Sequence, residues 1–220
     1  MISKPKVEVC FTPNVFPLYA EDFEVVVVID VLRATSAICT AFEHGVEKII
    51  PVSTLQEAIE YKNKGFHVAA ERKGKIVDGF DYGNSPLSYR NDKLKGETLV
   101  LTTTNGTKAI NIANDIEHLL IGSLLNLNAI CKYLTDLNKS VLILGSGWKN
   151  KFCLEDTICA GAISEKLLKT NNFESFNDST IAAKYLYLSA RTNFFGYLKA
   201  SSHRKRLKKL NLNEDIKYCL

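Results

Sequence analysis

Short aliphatic runs alternate along this chain with longer stretches of helical character, and this alternation constrains the fold more than any other feature. Several of the runs are continuous and rich in β-branched residues, which is typical of strands buried on both faces. Seven strands are predicted: Val7–Phe11, Val25–Asp30, Lys48–Val52, His67–Ala70, Thr98–Leu101, His118–Ile121 and Val141–Leu144. Strands separated by helices favour an α/β fold, with a layered, largely parallel or mixed sheet flanked by helices.

Helices are predicted between these strands from their ends. Ser53 followed by Gln56 is the pattern of a capping box, and Gly65 is a typical terminator for the helix that it opens. Another helix should begin after Arg33 and stop near residues 43–45.

Asn126 or Asn128 is expected to cap a helix that runs to Leu137. From Glu155 onward the chain is predicted to be mainly helical. Because no flexible linker or internal repeat interrupts the pattern, we expect one domain over residues 1–220, with a subdivision near residue 150 as the alternative.

Composition excludes several classes of protein. The chain has 220 residues, of which 46% are hydrophobic and 24% charged, so it can build a substantial core and is not intrinsically disordered. A net charge of +4 favours small anionic ligands but is too small to predict nucleic-acid binding.

Location is predicted from what the sequence lacks. The six cysteines form no C-x-x-C pair, which indicates reduced thiols rather than a disulfide framework. The N-terminus has no continuous apolar segment of the signal-peptide type, and the run Val25–Ile29 is too short to cross a bilayer. We therefore expect a cytoplasmic protein without membrane partners; its oligomeric state is open, a homo-oligomer included.

Parallel sheets bind ligands at the carboxyl ends of their strands, so the polar residues found there are candidates for a site. Asp30 follows the valine run and could bind a metal, while Arg33, Thr35 and Ser36 could bind an anion. A turn cap, a helix cap and a surface arginine would explain the same residues without any function.

The next strand end repeats the pair of an acid and an arginine, at Glu71 and Arg72. A metal-assisted phosphatase needs carboxylates for the cation and cationic donors for the phosphoryl oxygens, close to one point. A solvated charged loop is the alternative interpretation, and it is the better one for Lys73 and Lys75.

Two polar loops add candidate anion-binding groups. Asn84 and Ser85 lie in a glycine-containing loop that ends at Pro86, although a plain turn is the alternative. The second loop follows the strand Thr98–Leu101 and leads into a helix predicted from about Thr107 to Ala113. Its candidate phosphate-binding residues are Thr103, Thr104, Asn105, Gly106 and Thr107.

The C-terminal part contributes further candidates. Glu155 and Asp156 follow the glycine-rich turn at residues 145–147, and they could bind a metal or merely complement a helix dipole. His203 follows two serines at a predicted helix start and could act as a general acid. The basic run 203–209 could bind phosphate or RNA, but a solvated helix face is the commoner explanation.

These segments, taken in order, resemble the 2-phosphosulfolactate phosphatase family. The motifs that match are D-V-L-R-A-T-S at 30–36, E-R-x-G at 71–74, G-F-D-x-G-N-S-P at 79–86, T-T-N-G-T at 103–107 and E-D-x-x-C-A-G at 155–161. Ser201 or Ser202, His203, Asp215 and Cys219 match a sixth. Each motif is weak alone, but the ordered set spans nearly the whole chain and is specific.

The resemblance implies an Mg²⁺-dependent hydrolase that converts 2-phospho-3-sulfolactate to 3-sulfolactate and phosphate, a step toward coenzyme M in methanogens. It also implies an α/β fold unrelated to the haloacid-dehalogenase phosphatases. The hypothesis is that Asp30 and Glu71, with Glu155 or Asp156, bind the Mg²⁺. Arg33, Arg72 and the loop 103–107 would then bind the oxyanions.

The residues leave the chemical route open between attack by a metal-activated water and a covalent aspartyl-phosphate at Asp30.

The loop 148–153 departs from the small, Arg- and Ser-containing loop of the family. If that loop contacts the sulfonate, it bears on the identity of the substrate but not on the phosphatase chemistry. The rival functions are a metal-dependent phosphatase for another small acidic phosphoester and an anion- or RNA-binding regulatory module.

Overall fold

The strands of the computed structural model end within two residues of their predicted limits. The structure describes residues 3–220, so Met1 and Ile2, which begin the N-terminal stretch considered above, lie outside it. The strands in this range are β1 (Val7–Cys10), β2 (Val25–Ile29), β3 (Lys48–Pro51), β4 (His67–Arg72), β5 (Lys75–Ile76), β6 (Thr98–Thr102), β7 (His118–Gly122) and β8 (Val141–Gly145). The unpredicted strand is β5, which at two residues is too short to show a hydrophobic period.

The strands form two four-stranded sheets, so the predicted α/β class with a largely parallel or mixed sheet is confirmed. The first sheet is entirely parallel, in the order β1-β8-β2-β7. The second has the order β3-β6-β4-β5, with only the β4–β5 pair antiparallel. Because the second sheet comes from residues 48–102 and the first from the segments on either side, the chain leaves the first sheet and returns to it. A division near residue 150 stays a prediction.

Strand β2 is buried on both faces, as its unbroken run of aliphatic residues predicts. Val25, Val27 and Ile29 pack into one core cluster, together with residues of the C-terminal helices. Val26 and Val28 pack into another, which also contains Leu99 and Leu101 of the second sheet. This second cluster joins the two sheets into one core.

The register of the strands brings their polar carboxyl ends level. Ile29 pairs with Gly122 on one side and with Gly145 on the other. The residues that follow two of these positions, Asp30 and Ser146, therefore lie at the same edge of the sheet. In the second sheet Ala70 pairs with Thr102, which puts the residues that follow, Glu71 and Thr103, at a common level. The fold thus assembles the predicted candidates from segments far apart in sequence.

The helices occupy the predicted places, and the C-terminal portion is mainly helical as expected. They are α1 (Ala34–Glu43), α2 (Leu55–Asn63), α3 (Gly106–Ile112), α4 (Leu127–Leu137), α5 (Leu154–Lys169), α6 (Asp178–Ala190), α7 (Phe194–Tyr197), α8 (Ser202–Lys209) and α9 (Asn213–Cys219). Within residues 3–220, none of these helices combines the length and the apolar character needed to cross a membrane.

Two helix caps differ from their predicted form. The capping box of α2 lies one residue later than predicted, because Thr54 has the extended backbone of a cap and accepts from the Glu57 amide at 3.1 Å. Glu57 returns the interaction by accepting from the amide of Ser53 at 2.9 Å. Asn126 stands at the N-cap of α4, but its side chain accepts from the Ser123 amide and donates to the Ile121 carbonyl of β7 instead of capping the helix.

Candidate active site

A cavity of about 340 Å³ opens at the carboxyl ends of both sheets, where α8 closes its far side. The sequence-predicted residues that line it come from five different segments. They are Asp30, Arg33, Glu71, Asn84, Thr104, Asn105 and His203. The structure therefore brings together side chains that the sequence separates by more than 170 positions.

Asp30 lies at the base of this cavity and is almost entirely buried. Its Oδ1 accepts from the Ala34 amide at 3.4 Å, and its own amide donates to Thr35 Oγ1 at 3.0 Å. Burial raises the pKa of Asp30 to about 6; the positive charge of His203 opposes this rise, and the charge of Glu71 adds to it. A buried carboxyl with this shift is stabilised in its ionised form when a cation binds beside it.

The first residue of α3, Gly106, approaches Asp30 so closely that a glycine is required there. A Cβ at Gly106 would lie 2.5 Å from Ala34 Cβ and 2.9 Å from Asp30 Oδ2. Any side chain at this position would therefore displace the aspartate or α1. This close approach explains the glycine of the T-T-N-G-T segment.

Asp156 lies behind Asp30 and supports it from α5. Its Oδ1 accepts from the Val31 amide at 2.9 Å, and its Oδ2 accepts from Ser146 Oγ at 3.4 Å. Burial raises the pKa of Asp156 well above its ordinary value, and the charges of Asp30 and Glu155 raise it further. Mutual repulsion of buried carboxylates is relieved by a shared proton or by a cation.

Glu71 brings a carboxylate from the second sheet to the cavity. It is 6% exposed, and one of its oxygens accepts from the Gly74 amide. Arg72 does not line the cavity: its guanidinium donates to Thr102 Oγ1 at 3.0 Å and to the Glu71 carbonyl at 2.6 Å. The Arg72 side chain therefore links β4 to β6.

Arg33 is buried rather than exposed, and its charge is paired. Its Nη1 donates to Asp215 of α9, while its Nη2 donates to the Gly74 carbonyl at 2.9 Å. Ser85 donates to the other oxygen of Asp215 at 2.8 Å. Asp215 was visible in the sequence only as a member of the sixth motif, because nothing local marks it as the partner of an arginine 182 positions away.

Several of the predicted hydroxyl ligands are engaged within the protein. Ser36 donates to the Val31 carbonyl at 2.8 Å, and Thr35 accepts from the Asp30 amide. Thr107 Oγ1 donates to the Thr103 carbonyl at 3.0 Å, and the amide of Thr107 donates to Thr103 Oγ1 at 3.1 Å. These hydroxyls shape the loops, and from the T-T-T-N-G-T segment Thr104 and Asn105 are the side chains that face the cavity.

Glu155 and His203 form a hydrogen-bonded pair at the side of the cavity. Their Oε1 and Nδ1 atoms lie 2.6 Å apart, and Ser201 donates to the other carboxylate oxygen at 3.4 Å. Burial acts to raise the pKa of Glu155, but the hydrogen bond and charge of His203 outweigh it and lower that pKa. The pairing leaves Nε2 as the ring nitrogen of His203 that can serve a ligand.

A divalent cation of the hard, oxygen-binding class fits the base of the cavity. Asp30 and Glu71 present carboxylates there, and the buried amide oxygen of Asn84 has no hydrogen-bond partner among residues 3–220. Carboxylate and amide oxygens are the ligands that Mg²⁺ accepts in proteins. Asn84 was predicted from sequence as an anion donor, whereas its orphaned oxygen is suited to a cation.

The Arg33–Asp215 pair predicts a large effect on stability. Replacing Asp215→Asn leaves a buried guanidinium without its counter-charge, so the free energy of unfolding should fall by about 3–5 kcal/mol. Urea denaturation followed by circular dichroism measures this. The matched control is Glu214→Gln in the same helix: its exposed ion pair with Lys217 should contribute less than about 1 kcal/mol. Equal effects from the two variants would contradict the prediction.

Comparison with known proteins places this arrangement in a family. The family model described as 2-phosphosulpholactate phosphatase matches residues 10–220. A probable 2-phosphosulfolactate phosphatase of Caldanaerobacter subterraneus is 43% identical over 199 residues, covering 89% of this chain and 82% of that protein.

Proteins of the same description from two clostridia are also similar. The one from Clostridium acetobutylicum is 39% identical over 197 residues, covering 88% of this chain and 83% of its own length. The one from Clostridium perfringens is 37% identical over 220 residues, covering 97% of this chain and 88% of its own. This chain therefore belongs to the 2-phosphosulpholactate phosphatase family.

Proposed function

We propose that this chain is an Mg²⁺-dependent phosphatase that hydrolyses 2-phospho-3-sulfolactate to 3-sulfolactate and phosphate. The observation that carries the proposal is that one cavity is lined by Asp30, Glu71 and Asn84, whose amide oxygen has no partner in the described part of the chain. Family membership supports the reaction class, since the similar proteins are described as phosphatases of this ester.

In this proposal Asp30, Glu71 and Asn84 bind the Mg²⁺, and Asp156 positions Asp30 through its contact with the Val31 amide. When bound, the cation would neutralise the carboxylates and polarise a phosphoryl oxygen. Glu155, predicted from sequence as a further ligand, is engaged with His203 and Ser201. We therefore assign it the role of fixing the imidazole.

His203 is the proposed general acid. Loss of phosphate from an alkyl ester leaves an alkoxide, a poor leaving group that needs a proton as the P–O bond breaks. Glu155 bonds to Nδ1, which favours a proton on that nitrogen, and stabilises the protonated imidazolium, whose Nε2–H can be donated. The same charge offsets part of the negative potential of Asp30.

The cavity also suits a substrate with several anionic groups. Phosphosulfolactate carries a phosphate, a carboxylate and a sulfonate. Besides the paired Arg33, the cavity is lined by Lys73, Lys149 and Arg206, and none of these three has a carboxylate partner within the described residues. Lys149 belongs to the loop that departs from the family pattern, which makes a related acidic phosphoester the second candidate substrate.

Phosphate release from 2-phospho-3-sulfolactate with Mg²⁺ and with a chelator tests the reaction and its cofactor. We expect turnover with Mg²⁺ and none with chelator.

Because burial raises the pKa of Asp30 to about 6, protons compete with the cation below that pH. The Mg²⁺ concentration for half-maximal rate should therefore rise as the pH falls from 8 towards 5. Phospholactate and a phosphorylated sugar acid complete the panel; a preference for either would favour the second candidate.

Replacing Asp30→Asn removes the charge at the base of the cavity. The fold should persist, while turnover should fall by at least about 10³-fold, since metal-assisted stabilisation contributes several kcal/mol. Mg²⁺ affinity measured by calorimetry should fall as well. Asp136→Asn, on the exposed face of α4, is the matched control and should change neither. Retained turnover in the Asp30 variant would exclude its assigned role.

Replacing His203→Gln separates acid catalysis from binding. For the alkyl phosphoester, kcat should fall by about 10²–10⁴-fold. For p-nitrophenyl phosphate, whose leaving group needs no proton, the loss should be much smaller. His118→Gln, at the amino end of β7, should behave as the wild type with both esters. An equal loss with both esters for the His203 variant would argue against a general-acid role.

A further inference from the structure

A second cavity of about 300 Å³ adjoins the first and shares Trp148, His203 and Arg206 with it. Its wall contains a cysteine, a glutamate and a histidine: Cys153, Glu155 and His203. One ligand atom from each of these residues lies within 4.8 Å of the other two. This is the one group of its kind among residues 3–220, and the proposed phosphatase reaction makes no use of its thiol.

The three side chains are fixed before any ligand arrives. Glu155 Oε1 lies 2.6 Å from His203 Nδ1, and the Cys153 sulfur lies within 4.8 Å of a ligand atom of each of these two residues. Cys153 precedes α5 directly, Glu155 lies in its first turn, and His203 lies in the first turn of α8. Two helix starts therefore determine the geometry, and little chain entropy is lost when the three groups share one ligand.

The electrostatic surroundings favour a cation at this point. Asp30, Glu155 and Asp156 all place negative charge near the Cys153 sulfur. Glu155 and Cys153 are buried, so the Glu155 carboxylate and the thiolate that metal binding would form are both poorly solvated. A cation bound to both would compensate them.

We propose that Cys153, Glu155 and His203 form a zinc site, and that zinc bound there inhibits the phosphatase. Sulfur, imidazole nitrogen and carboxylate oxygen are the ligands of Zn²⁺, and three protein ligands with one open position are a common zinc arrangement. Mg²⁺ accepts oxygen ligands and is a poor competitor for a thiolate. The site is therefore chemically distinct from the oxygen-lined base of the main cavity.

Binding exchanges protons for the metal. As the Zn–S bond forms, the Cys153 thiol loses its proton to the solvent. The proton shared by Glu155 and His203 Nδ1 is also released to the solvent, and the cation takes its place. No electron is transferred. The imidazole is then held as a neutral zinc ligand and can no longer donate the proton that the leaving group needs. The inhibition rests on the proposed function, whereas the binding does not.

The binding is tested with Co²⁺ and Zn²⁺ on the full chain. One equivalent of Co²⁺ should produce the near-ultraviolet band of a thiolate–cobalt bond, and Zn²⁺ should abolish it. In Cys153→Ser the band should be missing, and zinc affinity by calorimetry should fall at least about 100-fold, more than the loss of an outer-shell partner causes. Cys39→Ser is the matched control, because Cys39 is the free thiol that is not fully buried.

The inhibition is tested in the phosphate-release assay. Zinc should inhibit the wild type and Cys39→Ser, excess Mg²⁺ should not relieve it, and Cys153→Ser should keep its Mg²⁺-dependent turnover while losing at least about 100-fold in zinc sensitivity. Cys153→Ala serves if the serine variant misfolds.

Absence of the cobalt band in the wild type would overturn the site. A band without inhibition would overturn the inhibitory role. Inhibition relieved by Mg²⁺ and unchanged in Cys153→Ser would place zinc at the oxygen ligands instead.

Discussion

The buried ion pair between Arg33 and Asp215 joins the parts of the molecule that form the cavity. Arg33 follows β2 of the first sheet, Gly74 belongs to the turn after β4 of the second, and Asp215 lies in α9. An unpaired guanidinium in this position would carry a desolvation cost of several kcal/mol. The C-terminal helices are therefore required for the site, because they supply both this counter-charge and His203.

The cost of burying several carboxylates together explains the chemistry of the site. Asp30 and Asp156 have raised pKa values chiefly because burial disfavours their ionised forms. The charge of Glu71 adds to the rise at Asp30, and the charges of Asp30 and Glu155 add to it at Asp156. A fold retains such an arrangement when a cation or a positively charged group is available to compensate it. His203 provides part of this compensation to Asp30 from the protein itself, and in the proposed function a divalent cation provides the rest.

Local structure was predictable because it depends on short-range patterns. The strand limits differ by at most two residues from prediction, since continuous β-branched runs mark buried strands clearly. The capping box of α2 was misplaced by one residue because Ser53 and Thr54 are both acceptable caps and the backbone decides between them. Strand β5 was not predicted, because two residues carry no readable period. Helices α7 and α9 were covered only by the expectation of a mainly helical C-terminal portion, which did not give their individual limits.

The sequence by itself determined the α/β class, the family and the list of polar residues at the strand ends, because these follow from local periodicity and ordered motifs. Tertiary structure decided which of them face the cavity. Arg72, Ser36 and Thr107 make contacts within the protein, and Asp215 neutralises Arg33. Asn84 presents an oxygen that no other group in residues 3–220 engages. A side chain's role depends on partners that only the folded chain brings within hydrogen-bonding distance. For this reason, the motif that contains Asp30 and Arg33 did not reveal their separate roles.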